Sequence, residues 1–172
     1  MKTLKMFLIP LLLLAYGGQA HAATLYGAEY TKTRAVPQQL VTQGTDGGRI
    51  KHCFDSYALT ADLAVNDVIL GCRIPSGARV VDARLYYDAL SAGTVSVGWA
   101  AGAAAVEAAD STGLFANIAV TSAGVKSLFT DNRTGTGFMK TFSEEVRTRI
   151  QTVVDTSATS GNIGLEVFYT VD

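Results

Sequence analysis

Arg79-Val80-Val81-Asp82-Ala83-Arg84-Leu85-Tyr86-Tyr87-Asp88 decides the reading of the fold. Val81, Ala83, Leu85 and Tyr87 recur at every second position and therefore share one face of an extended strand. Ser91-Ala92-Gly93 marks a turn after it, and Thr94 to Trp99 alternates again with Val95, Val97 and Trp99 aligned. The two runs predict a hairpin across a short loop. Upstream, Asp67 to Arg73 is a short apolar run that ends at Pro75-Ser76-Gly77, a turn because proline fixes φ. Before that, Arg49 to Tyr57 sets Ile50, His52 and Phe54 on one side and Lys51, Cys53 and Asp55 on the other. At the far end, Ile163, Leu165, Val167, Tyr169 and Val171 point inward, and Glu166, Phe168 and Thr170 point outward.

The segments between are less regular. Ala100 to Ala109 is rich in alanine but has no amphipathic stripe, so it reads as a loop leading into a short helix near Glu107 to Phe115. Ile118 to Val125 and Lys126 to Thr130 read as short strand pieces, and residues 131–137 as a polar loop tip. Thr141 to Asp155 fits either period, and its β-branched residues favour a strand over Arg149 to Asp155. Many short strands separated by turns predict an all-β chain, a single β-sandwich of jelly-roll type with one or two short helices.

Met1 to Ala22 stands apart. Lys2 and Lys5 precede the apolar run Met6 to Tyr16, and Ala20-His21-Ala22 is a small-x-small cleavage pattern. This is the layout of a signal peptide, with an apolar run too short for a membrane span of roughly 20 residues. The expected organisation is a leader over 1–22 and one domain over 23–172. Cleavage after Ala22 removes Lys2 and Lys5 and leaves 12 basic against 15 acidic residues. A domain of about 150 residues buries enough surface for a real core.

Composition excludes several functions. The 172 residues are 48% hydrophobic and 17% charged, which excludes a disordered chain. A formal charge of −1 argues against nucleic acid as a partner. With 2 cysteines and 2 histidines, one of them in the leader, no typical zinc site can be assembled, and no cofactor motif is present. His52 and Cys53 are adjacent on a strand and point to opposite faces, so they do not form a thiolate–imidazole pair. Cys53 and Cys72 lie on two strand candidates. In an oxidising compartment they form a disulfide worth roughly 3 kcal/mol; in a reducing one they are small core residues. The carboxylates are scattered, and nothing in the sequence selects a catalytic pair. Trp99 and Tyr86 are the candidates for ligand or partner contact, such as stacking on a sugar ring, with core packing as the alternative for both.

One resemblance adds to this reading. Ala23-Thr24-Leu25-Tyr26-Gly27-Ala28-Glu29-Tyr30-Thr31-Lys32 resembles the opening of a group of small tailed-bacteriophage structural proteins. The likeness continues through Gly48 to Tyr57 and through Asn66 to Ala83, where Ile74-Pro75-Ser76-Gly77-Ala78-Arg79-Val80 is its best mark, and returns in Gly161 to Tyr169. It implies a β-rich virion protein of head-decoration or capsid-associated type, with no active site, that contacts copies of itself and a coat protein. Ala23 stands where that group has its initiator methionine, directly after the cleavage pattern. Use of the leader instead implies a secreted or cell-surface module, for example one that binds carbohydrate. An uncleaved leader would be the chain's one membrane contact.

Overall fold

The computed structural model describes residues 23–27, 30, 31, 34–36 and 50–171. The leader and residues 48 and 49 lie outside the described residues. The strands are β1 (Thr24–Tyr26), β2 (Ile50–Leu59), β3 (Val68–Ile74), β4 (Ala78–Tyr87), β5 (Thr94–Trp99), β6 (Asp110–Ala119), β7 (Gly124–Ser127), β8 (Val146–Val154) and β9 (Gly161–Val171). A single-turn helix, α1 (Leu128–Asp131), follows β7.

The strands form two sheets, one of order β1-β3-β8-β5-β6 and one of order β2-β9-β4-β7. Their pairing is nested: β2 with β9, β3 with β8, β4 with β7 and β5 with β6, all antiparallel. A long hairpin of eight strands, folded over so that its ribs alternate between two layers, has this order. The chain is therefore an all-β sandwich, jelly-roll-like in its strand order. β1 adds itself in parallel to the edge strand β3.

The predicted hairpin of β4 and β5 is not formed. β4 lies between β9 and β7, whereas β5 lies between β8 and β6 in the other sheet. Alternation specifies which face of a strand is apolar but not which strand it joins. Both strands turn their apolar faces to the space between the sheets, and Leu90, in the crossover, is fully buried.

Bulges account for the other departures. In β4 the register passes from Val80 opposite Tyr169 to Asp82 opposite Phe168, so Val81 is the extra residue. The inward set is accordingly Ala78, Val80, Ala83, Leu85 and Tyr87, with Val80 in the place expected for Val81. The helix expected near Glu107 to Phe115 is instead strand β6. Two register shifts against β5 break its period of two and bury the adjacent Leu114 and Phe115 together. Lys126 to Thr130 divides between the end of β7 and α1, and the strand expected from Arg149 begins earlier, at Val146.

The core is filled from both layers. Phe115, Phe142, Ile74, Leu85, Leu165, Ile163 and Val97 are among its fully buried side chains, each worth about 1.5–3 kcal/mol on burial. Trp99 meets Phe142 edge to face at 5.1 Å. Gly113 lies under the Trp99 ring, in space that a Cβ would contest. At one edge, Cys53 of β2 and Cys72 of β3 are joined as a disulfide with Cα atoms 6.3 Å apart, which ties one sheet to the other.

Candidate contact surface

Strand alternation separates the two tyrosines of β4. Tyr87 enters the core, and Tyr86 stands on the outer face of the four-stranded sheet. Register then fixes its neighbours. Tyr86 is opposite Gly164 of β9, which is opposite Ser56 of β2. One step along, Arg84 is opposite Glu166, itself opposite Phe54; the next row sets Asp82, Phe168 and His52 together. Phe54, Tyr86, Phe168, His52, Arg84 and Glu166 thus occupy one continuous face.

These side chains order one another. Glu166 accepts a hydrogen bond from the Tyr86 hydroxyl at 3.0 Å, and its other oxygen lies 3.1 Å from His52 Nδ1. The His52 ring stacks on Phe168 at 6.0 Å, and the Arg84 guanidinium sits 5.2 Å from the Phe168 centroid on its way to Asp82 at 3.6 Å. Phe54 and Tyr86 meet edge to face at 6.2 Å across Gly164. A Cβ there would come within 3.3 Å of the Phe54 ring, so the rings cover the gap that glycine leaves. Phe54 remains 47% exposed, and Ile50 and Val125 flank the patch at 61% and 56%. Aromatic rings and arginine, held by their neighbours yet open to solvent, are the composition of protein contact surfaces.

At the margin, Asp82 accepts hydrogen bonds from Phe129 N at 2.9 Å and Ser127 Oγ at 3.1 Å. It supplies α1 with the cap that the Ser127 side chain does not provide. Phe129 is left 52% exposed beside the patch.

The other sequence candidate, Trp99, is not on a surface. It is 3% exposed in the opposite sheet, and its Nε1 donates to the Ala108 carbonyl at 3.0 Å. Ser96, Val97 and Gly98 beside it are also buried, so this strand is covered on both faces. The loop over Trp99 is held by two carboxylates. Glu144 accepts from Ala104 N at 2.9 Å and Glu107 N at 2.7 Å. Glu107 in turn accepts from Ser143 N at 2.8 Å and Ser143 Oγ at 2.7 Å and pairs with Lys140 at 2.9 Å. The Ser143 backbone and hydroxyl bonds, with Lys140, hold the Glu107 carboxyl down at about 2. Nearby, burial pushes Asp110 up, but hydrogen bonds from Thr112 and Thr136 outweigh it and the carboxyl is held low. The cleft bordered by Trp99, Glu107, Asp110, Thr136 and Lys140 is lined by acids already committed to structural bonds.

His52 and Cys53 diverge, one to the outer face and the other into the disulfide. Asn132 of the polar loop tip donates its amide to the Leu114 carbonyl at 2.7 Å. Among the described residues no group of three or more His, Cys, Asp or Glu is placed to hold a metal ion. No helix there is long and apolar enough to cross a membrane.

These features define a cross-linked β-sandwich with an ordered aromatic outer face. No protein-family model matches the chain, and no curated protein matches it. Solved structures with the same fold include a chain in the capsid of Ralstonia phage GP4, at TM-score 0.65 and 19% identity, covering 87% of this chain and 99% of that one. They also include a chain of the cyanophage Pam1 capsid asymmetric unit, at TM-score 0.55 and 21% identity, covering 81% and 98%. At these identities the likeness is one of fold.

Proposed function

We propose that the chain is a non-enzymatic structural protein of a bacteriophage virion, decorating or stabilising a capsid or fibre by self-association and contact with coat protein. The observation that carries this reading is the aromatic outer face of the four-stranded sheet, on a fold shared with two phage-capsid chains. A shell component has to present preformed contact area, because every side chain ordered on assembly costs affinity. Glu166 meets that need by fixing His52 and Tyr86 before any partner arrives. The disulfide serves the same end by restraining the two layers. Of the aromatics on which a carbohydrate-binding or adhesion module would draw, Trp99 is unavailable to a sugar ring at 3% exposure.

The test is to purify phage particles from lysates of cells carrying the gene and to probe them for the chain by mass spectrometry. Stoichiometric presence in particles is expected. Particles that lack the chain while it accumulates free in the medium or at the cell surface would refute the virion reading and favour export through the leader.

A further inference from the structure

The outer face of the five-stranded sheet differs in kind from the aromatic one. Along β8, Val146, Thr148, Ile150 and Thr152 are buried, so Arg147, Arg149 and Gln151 face outward. Register places Arg73 of β3 directly opposite Arg147, and Leu70 opposite Arg149. Like charges directly across a ladder destabilise a sheet. Arg73 finds Glu145 at 3.4 Å, a half-exposed pair of little worth. Arg147 rests on the Tyr30 ring at 4.1 Å, an aromatic face for its positive charge, and Glu145 acts on it only through space. Arg34 reaches the same ring at 5.7 Å and donates to the Tyr30 hydroxyl at 2.8 Å.

Two nitrogens in this cluster, Arg147 Nη1 and Arg149 Nε, are buried without a hydrogen-bond partner among the described residues. Unmet buried donors on charged groups are costly. Burial and then the charge of Arg73 hold the Arg147 guanidinium below its usual value. Among the described residues four guanidinium groups are thus gathered with one facing acid.

We infer that this face is the seat of a carboxylate-bearing segment of a partner protein, laid along β8 with its acids on Arg73, Arg147 and Arg149. Arg147 and Arg149 are two residues apart on one strand face, about 6.6–6.8 Å along the chain. Alternate side chains of an extended acidic peptide have the same spacing. The guanidinium fork matches a carboxylate in a planar, two-point contact. Overall charge favours a short peptide over a polyphosphate: with 15 acidic and 14 basic residues the chain lacks the excess of positive charge that draws in nucleic acid. The inference rests on the proposed assembly role only for the source of the segment, and the binding is measured without any capsid.

The probe is a capped peptide of about eight residues alternating glutamate and threonine, which sets its carboxylates on one face. It is titrated calorimetrically into the full chain at about 25 mM salt, where screening is weak. Saturable binding is expected, at least tenfold weaker in Arg73→Gln and in Arg147→Gln and unchanged in Arg133→Gln, which lies outside this face. Arg73 is half-exposed, so its variant keeps the test valid if Arg147→Gln does not fold. No saturable binding, an equal loss in Arg133→Gln, or tighter binding of a duplex DNA oligonucleotide through the same arginines would each overturn the inference.

Discussion

Replacing Glu107 by glutamine tests the electrostatic part of the account. Its carboxylate accepts two hydrogen bonds from Ser143 and pairs with Lys140, whose ammonium lies 5.4 Å from the Trp99 ring. A carboxyl held at about 2 rather than 4.5 corresponds to a ceiling of about 3 kcal/mol of stability. The side chain is only 12% exposed but sits near the surface, so about 1–2 kcal/mol is the expected share. The group is lowered in the folded state. Its contribution is therefore complete above 4.5 and is lost as the pH falls toward about 2. In urea unfolding followed by the fluorescence of Trp99, the sequence's one tryptophan, Glu107→Gln is expected to be less stable by a constant margin at neutral pH. The margin should narrow below 4.5 and vanish near 2. Curves for the two proteins that run parallel across that window would refute the assignment, whatever their separation.

Other outcomes follow from single contacts. Reducing the Cys53–Cys72 disulfide, or replacing both cysteines by serine, should lower stability by roughly 3 kcal/mol, read as the shift in urea midpoint with and without reductant. Gly113→Ala should cost about 1–3 kcal/mol because its methyl contests the space of the Trp99 ring, with a matching change in Trp99 emission. Asp82→Ala should cost about 1 kcal/mol through loss of the α1 cap, and hydrogen exchange at the Phe129 amide should rise by more than exchange at β9.

The parts of the fold legible in the sequence were those whose burial repeats every second residue. β9 shows this best: Ile163, Leu165, Val167 and Tyr169 all face the core as their spacing requires. Strand partners were not legible, because β4 and β5 satisfy the same local pattern whether they form a hairpin or cross between layers. β6 was hidden by its bulges, which bring Leu114 and Phe115 inward together and imitate a helical spacing over a short window. Tyr86 could be placed on a face opposite Tyr87, but which face was solvated depended on the sheet it joined. Phe54 and Phe168 were missed as contact residues although their outward positions followed from alternation. A large aromatic on the polar side of a strand was the available signal. The roles of Glu107 and Glu144 had none, since their hydrogen-bond partners are 36 or more residues away and Lys140 is distant too.

The central claim, that the aromatic face exists to touch another protein, is tested most directly by sedimentation equilibrium of the full chain beside a Phe54→Ser/Tyr86→Ser variant across a concentration series. The account predicts reversible self-association of the native chain that the double substitution abolishes while its circular dichroism stays that of a β-sandwich. A native chain that remains monomeric throughout, or an association that the substitutions leave intact, would contradict it.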